Sequence, residues 1–299
     1  MAQRRYYGAK RDPPDSRDFK IHFKNIPSES KVDLSKYVHG VYNQGEIGSC
    51  TANAVCAAYR IDLNRQGLPD FDPSRLFLYY NTREIEKKVD EDSGAFLRDT
   101  VKALKSQGVC REKCWPYENV QLKCKIKPSL QCYQEAKGNI VRKYESIQNY
   151  SDVHQLRACL KAGYPFVFSF KVFPSFEDAK ISGVMKMPTE KEEPEGMHAV
   201  VAVGYDDSKK TIKVLNSWGH HWGYDGYFYM PYGYITNRQW CHNFWKIEFV
   251  QETKQAAPNK TQPSVSGLHQ QSGQSKANEW PTGMKEGVKK QSSKICTLL

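Results

Sequence analysis

The chain has 299 residues, with 44 Lys and Arg against 33 Asp and Glu for a formal charge of +11, and is 39% hydrophobic and 12% aromatic. That composition excludes a fibrous or wholly disordered chain, although a mean hydropathy of −0.70 leaves part of the length to solvent. No apolar run approaches the roughly 20 residues of a membrane helix, and Met-Ala-Gln-Arg-Arg-Tyr-Tyr at the start has charge without an apolar stretch behind it, so neither a membrane span nor a signal peptide is expected. Nine cysteines without a secretory leader read as mostly reduced thiols in a cytoplasmic setting, at least one of them unpaired. The basic residues are interspersed with acids rather than clustered with aromatics, which argues against nucleic acid as a partner.

Three regimes follow one another: a basic, proline-containing start, a dense middle, and a tail over 251–299 that is rich in Gln, Ser and Gly and carries seven Lys against three Glu. The tail has too little apolar material to offset the entropy of ordering it and reads as a disordered extension. In the middle, residues 50–66 are apolar or small nearly all round (Ala52, Ala54, Val55, Ala57, Ala58, Ile61, Leu63), and Gly67 and Pro69 stop the run, so a buried helix is predicted. A second helix is predicted over 72–89, capped by Asp72 with Pro73 at its first position, a third over 96–107 ending at Gly108, and a fourth over 152–162. Short runs rich in Val, Ile, Phe and Tyr then predict strands at 166–172, 199–204, 211–218, 226–230 and 245–250. Helices followed by strands indicate an α+β fold of two lobes, a mainly helical one over 32–150 and a β-rich one over 151–250, with 1–31 ahead of them as a pro-region or an N-terminal wrap.

Cys50 stands where the loop Gln44-Gly45-Glu46-Ile47-Gly48-Ser49 meets the first turn of the buried helix. Free backbone amides and the positive end of the helix dipole favour a thiolate there. His198 opens the apolar strand Met197-His198-Ala199-Val200-Val201, and Asn216 closes the next strand eighteen residues on. Neighbouring strands can set an imidazole beside an amide, although a lone strand histidine is more often a hydrogen-bonded core residue.

Taken together, Gln44-Gly45, Gly48-Ser49-Cys50, His198-Ala199 and Asn216-Ser217-Trp218-Gly219 with Trp222-Gly223 and Gly226-Tyr227-Phe228 resemble the papain-like cysteine peptidases. The resemblance covers roughly residues 12 to 250. The cysteine and aromatic that usually flank the nucleophile are replaced by Ile47 and Thr51. The pattern is similar instead to a compact branch with Gln-Gly-x-x-Gly-Ser-Cys-Thr-Ala and the element matched by Gly108 to Tyr117. The resemblance implies a two-lobed papain-like fold with the site in the cleft, acting on protein or peptide substrates without metal or organic cofactor. It implies Cys50 as nucleophile, His198 as acid and base, Asn216 as orienting group shielded by Trp218, and the Gln44 amide with the Cys50 backbone as oxyanion donors. Ser93 and Gly94 fall at the family's substrate-pairing edge, Trp222 at the leaving-group side, and Met197 in place of the small or polar residue usual before the histidine. An endopeptidase is the first reading; an exopeptidase gated by a terminal segment, or a non-catalytic peptide-binding homologue, are the alternatives.

Cys110, Cys114, Cys124 and Cys132 do not reproduce paired Cys-x2-Cys hairpins, so their spacing predicts thiols or disulfides rather than a metal site. His220-His221 occupies two variable positions and reads as surface. Asp15-Ser16-Arg17-Asp18-Phe19 resembles an element ahead of the mature domain in the compact branch. Cys296-Thr297-Leu298-Leu299 fits a prenylation box with Lys285, Lys289, Lys290 and Lys294 upstream, which predicts membrane association of an otherwise cytoplasmic enzyme.

Overall fold

The computed structural model describes residues 7–24 and 28–249. In chain order the elements are β1 (Ala9–Lys10), β2 (Lys20–Ile21), β3 (Lys31–Asp33), α1 (Cys50–Arg65), α2 (Arg75–Ile85), β4 (Ala95–Phe96), α3 (Leu97–Ser106), α4 (Leu130–Ala136), β5 (Lys143–Ile147), α5 (Val153–Lys161), β6 (Phe166–Val172), α6 (Ala179–Ser182), β7 (Gly196–Asp206), β8 (Thr211–Leu215), β9 (Tyr227–Pro231), α7 (Tyr232–Ile235) and β10 (Cys241–Glu248).

Helix α1 is the hinge of the arrangement. Its residues 50 to 59 are all buried, and the alanines at 52, 54, 57 and 58 let it lie close to β7 on one side and to α2 and α3 on the other. The eight-stranded sheet runs β2-β5-β10-β6-β7-β8-β9, with β3 added against the far half of β7. Its central strands β6, β7 and β8 are buried on both faces and correspondingly rich in Val, Ile and Phe. The result is an α+β molecule with a helical side and a β-rich side, joined through a continuous core that includes Tyr59, Phe77, Phe168, Phe170, Phe228 and Trp245. Each such side chain, fully buried, is worth roughly 1.5–3 kcal/mol over its exposed state.

Several boundaries differ from the sequence expectation, each for a local reason. Helix α2 is capped by Ser74, whose hydroxyl accepts from the Phe77 amide at 3.2 Å; Asp72 instead accepts from the Tyr42 hydroxyl at 2.7 Å and from Arg60 at 2.9 Å. Strand β8 ends at Leu215, because the Asn216 amide turns to the Gly226 carbonyl at 2.9 Å. Strand β10 starts at Cys241, four residues before the predicted strand, interrupted by a bulge where Asn243 adopts a left-handed φ of 61°. Helix α4, strand β5 and the two-residue strands were not anticipated: they are too short to show a period.

Candidate active site

Four side chains hold the loop that delivers Cys50. The Gly48 amide donates to both Asp92 carboxylate oxygens at 3.1 Å. The Ser49 hydroxyl lies 2.7 Å from the Tyr117 hydroxyl, which donates to the Gln44 carbonyl at 2.8 Å, and Asn53 donates to the Ser49 carbonyl at 3.0 Å. The Gln44 side chain is held from both ends, its Nε2 donating to the Ile47 carbonyl at 3.0 Å and its Oε1 accepting from the Ser217 hydroxyl at 2.7 Å. Cys50 itself is fully buried. Burial pushes its thiol up to about 11, against hydrogen bonds from the Ala199, Gly8 and Thr51 amides and its own that favour the thiolate. The helix-end donors expected from the sequence are therefore present, but burial outweighs them.

His198 and Asn216 meet across β7 and β8. The ladder pairs Val201 with Leu215, and continued in register it sets His198 opposite Trp218 and diagonal to Asn216. His198 Nε2 lies 2.8 Å from Asn216 Oδ1, and both residues are buried. That oxygen also accepts from the Ser217 amide at 2.8 Å, which fixes it as the oxygen rather than the nitrogen of the amide and makes His198 Nε2 the donor. The Trp218 ring stacks on the imidazole at 4.6 Å and 21°. Trp222 is buried edge-on behind Trp218 at 4.9 Å, in contact with Phe176 and Phe228, and Met197 is half-buried beside His198 on β7.

The cleft is occupied by the chain itself. Tyr7 lies with its ring 6.3 Å from those of His198 and Trp218, and the Gly8 carbonyl accepts from the Ala95 amide at 2.8 Å. Strand β1 then pairs in parallel with β4, the continuation of the Ser93-Gly94 edge. The approach is close enough that a Cβ on Gly8 would stand 1.9 Å from the Gly48 carbonyl oxygen, and one on Gly94, at φ 68°, would stand 2.0 Å from the Gly8 oxygen. Beyond the cleft the segment is fastened repeatedly. Asn243 donates to the Lys10 carbonyl at 2.7 Å and accepts from the Asp12 amide at 3.0 Å, Lys10 pairs with Glu86 at 2.9 Å, and Arg98 grips Asp18 with two hydrogen bonds of 2.9 and 2.6 Å.

The structure thus gathers Cys50, His198, Asn216, Gln44, Trp218, Met197 and the Ser93-Gly94 edge around one cleft, with Trp222 behind it. His220 and His221 are exposed, their rings 3.9 Å apart and tilted by 51°, and Cys296 lies outside the described residues. Sequence reasoning missed Asp92 and the role of Ser217; residues 1–31 were expected as a pro-region or an N-terminal wrap, but the contacts that fasten residues 7–18 carried no signal. Tyr117 was visible only as part of the Trp-Pro-Tyr element, with no hint of its reach to Gln44 and Ser49.

Residues 28–243 match the model of the papain family of cysteine proteases, and the chain belongs to that family. It is a papain-like cysteine protease, an enzyme of thiol-dependent peptide-bond hydrolysis acting on protein substrates. An uncharacterized peptidase C1-like protein of Acanthamoeba polyphaga mimivirus is 36% identical over 294 residues, covering 88% of this chain and 94% of the relative. Xylellain, a cysteine protease from Xylella fastidiosa, superposes with a TM-score of 0.78 at 41% identity, over 84% of this chain and all of that one. A Carica candamarcensis cysteine protease, solved in complex with E-64, shares the fold with a TM-score of 0.58 at 21% identity, over 75% of this chain and all of that one. Mouse pro-cathepsin H is 26% identical over 69% of this chain, which spans 61% of that relative's length. The family match begins at residue 28, so the strap stands ahead of it.

Proposed function

We propose that Cys50, His198, Asn216 and Gln44 are the catalytic groups of a cysteine endopeptidase, and that residues 7–18 hold it latent. The reading rests chiefly on the 2.8 Å bond between His198 and Asn216, set beside Ala199, whose backbone lies close enough to the Cys50 thiol to favour its thiolate. With Nε2–H committed to Asn216, the proton of Cys50 passes to Nδ1, and the thiolate attacks the scissile carbonyl. Charge on the tetrahedral oxygen is met by the Cys50 amide and the Gln44 side chain, each such donor being worth ~3 kcal/mol. His198 then protonates the leaving amine and activates the water that hydrolyses the thioester.

Because the imidazole must reach the leaving amine, the C-terminal half of a substrate lies on the His198–Trp218 side and the acyl half along Ser93 and Gly94. The strap runs the opposite way, from Tyr7 at His198 to Ala9 at Ala95, so its peptide groups are presented backwards to the thiol. This orientation favours a blocking segment over a substrate. Main chain passing on both sides of Cys50 also suits an endopeptidase better than an exopeptidase.

The test is labelling with an epoxysuccinyl probe such as E-64, with the adduct located by mass spectrometry, on the full chain and on one begun near residue 28. An adduct on Cys50, faster in the shorter chain and absent from inactive Cys50→Ala, is expected. Labelling elsewhere, or turnover by Cys50→Ala near wild type, overturns the assignment. A cytoplasmic location with membrane attachment through Cys296 is a separate proposal, carried by the C-terminal motif alone. A lipid-sized mass increment on protein made in a eukaryotic host, lost in Cys296→Ser, is the result it requires.

A further inference from the structure

Sequence spacing argued against metal binding by the cysteines of the helical side, but three of them converge. Cys110 follows the turn at Gly108, Cys114 lies one turn further on, and Cys132 comes from the first turn of α4. Their sulfur atoms all lie within 4.8 Å of one another, two of the residues buried and Cys114 half-buried. Cys114 Sγ and Cys132 Sγ are 3.2 Å apart. One turn along α4 from Cys132, on the same helix face, Glu135 pairs with Arg111 at 3.3 Å; its carboxylate is not among the atoms gathered within 4.8 Å. Cys124, the fourth cysteine of this region, donates to the Gln121 carbonyl at 3.0 Å and does not join the cluster.

We propose that Cys110, Cys114 and Cys132 form a structural site for a thiophilic divalent cation of the zinc class, with Glu135, which lies outside the cluster as it stands, turning in as the fourth ligand. A tetrahedral centre with sulfur ligands at ~2.3 Å places them ~3.8 Å apart, so the observed cluster needs only small side-chain adjustments to close on an ion. Soft thiolates select zinc over calcium or magnesium. On binding, the three thiols release three protons, and three thiolates plus one carboxylate around a dication carry a net charge of −2, partly offset by Arg111. A disulfide between Cys114 and Cys132 would employ two of the sulfurs and leave the third alone, while the Glu135 carboxylate kept its pair with Arg111.

The site has a mechanical consequence. The loop it would clamp carries Glu112, which accepts from Arg75 at 3.0 Å and from the Tyr117 amide at 2.7 Å, and Tyr117 in turn secures Gln44 and Ser49 ahead of Cys50. A bound ion ties that loop to α4 and so steadies the loop that presents the nucleophile. The proposal does not depend on the catalytic assignment, because its readouts are metal content and spectra.

The full chain, purified under reducing conditions with stoichiometric zinc and then dialysed, is expected to retain about one zinc per molecule by elemental analysis. Cobalt substitution should give a thiolate-to-metal charge-transfer band. Cys114→Ser, at the half-buried position, should weaken zinc binding by at least about 100-fold, more than loss of an outer-shell partner costs, while Cys124→Ala keeps it. If Cys132→Ala fails to fold, Cys114→Ser and the cobalt spectrum of the native chain decide. No retained zinc and no charge-transfer band, equal zinc binding by Cys114→Ser, or a Cys114–Cys132 disulfide in the metal-free native chain would each overturn the site.

Discussion

The Asp12 carboxylate takes a hydrogen bond from the Trp245 indole at 2.9 Å and a second from the Arg98 amide at 3.2 Å, inside the docked strap. Burial pushes its pKa up to about 6 from the ordinary 3.8, against those hydrogen bonds and the charge of Arg98; Asp99 adds a small further rise. The docked strap therefore holds the Asp12 proton more tightly than the released strap does. Docking is strongest below pH 4 and weakens as the pH rises through 6, by up to about a hundredfold in equilibrium constant for a shift of this size. Amide exchange of residues 8–12, referred at each pH to that of Asp12→Asn, should show protection falling across this window. A ratio that stays flat from pH 4 to 7 would refute the assignment.

Gly8 is the strap's tightest point. Gly8→Ala brings a methyl group to 1.9 Å from the Gly48 oxygen, and overpacking of this kind costs ~1–3 kcal/mol. Peptide turnover and Cys50 alkylation should rise by roughly 5- to 150-fold over the wild type. Unchanged rates would mean that the strap does not limit access.

Gln44→Ala removes one oxyanion donor and should lower kcat by roughly 10- to 1000-fold with little change in KM. Ser217→Ala leaves the donor in place but frees its other end, since the 2.7 Å bond to Gln44 Oε1 is lost. A smaller fall in kcat, with KM again unchanged, is expected from steady-state kinetics.

Asp92 ties the nucleophile loop to the substrate edge: it accepts from the Gly48 amide and from the Tyr79 hydroxyl at 2.6 Å, and that hydroxyl accepts from the Gly94 amide at 3.1 Å. Asp92→Ala should cost ~1–3 kcal/mol by leaving these donors unmet and should lower kcat/KM as well. Denaturant midpoints and kinetics measured together check both effects; a change in neither would show that the network is dispensable.

How much of this was legible in the sequence depended on distance along the chain. Cys50 was readable because loop, nucleophile and helix start are contiguous, and His198 with Asn216 because one opens a strand, the other closes the next, and both sit within a matched motif. The alanine-rich face of α1 announced its burial. Asp92 gave no signal, since its partner Gly48 lies 44 residues away and an aspartate before Ser-Gly looks like any turn. The segment ahead of residue 32 was readable as a pro-region or an N-terminal wrap, but its fastenings were not: Asn243 holds Lys10 from 233 positions away, and does so from a bulge with no sequence period. The convergence of Cys110, Cys114 and Cys132 was hidden for the same reason, because spacing reports on hairpins and these sulfurs are brought together by a loop and a helix.

At Cys50 the strap meets the enzyme mostly through main chain: the Gly8 backbone beside the thiol, the Gly8 carbonyl on Ala95, and a glycine backbone against Gly48. The proposed latency is in this respect indifferent to side-chain preference, whereas the choice of peptide is a matter of the side chains around the cleft. The two properties can therefore drift independently, so that a relative with retuned pockets could cut a different protein while keeping the same latch.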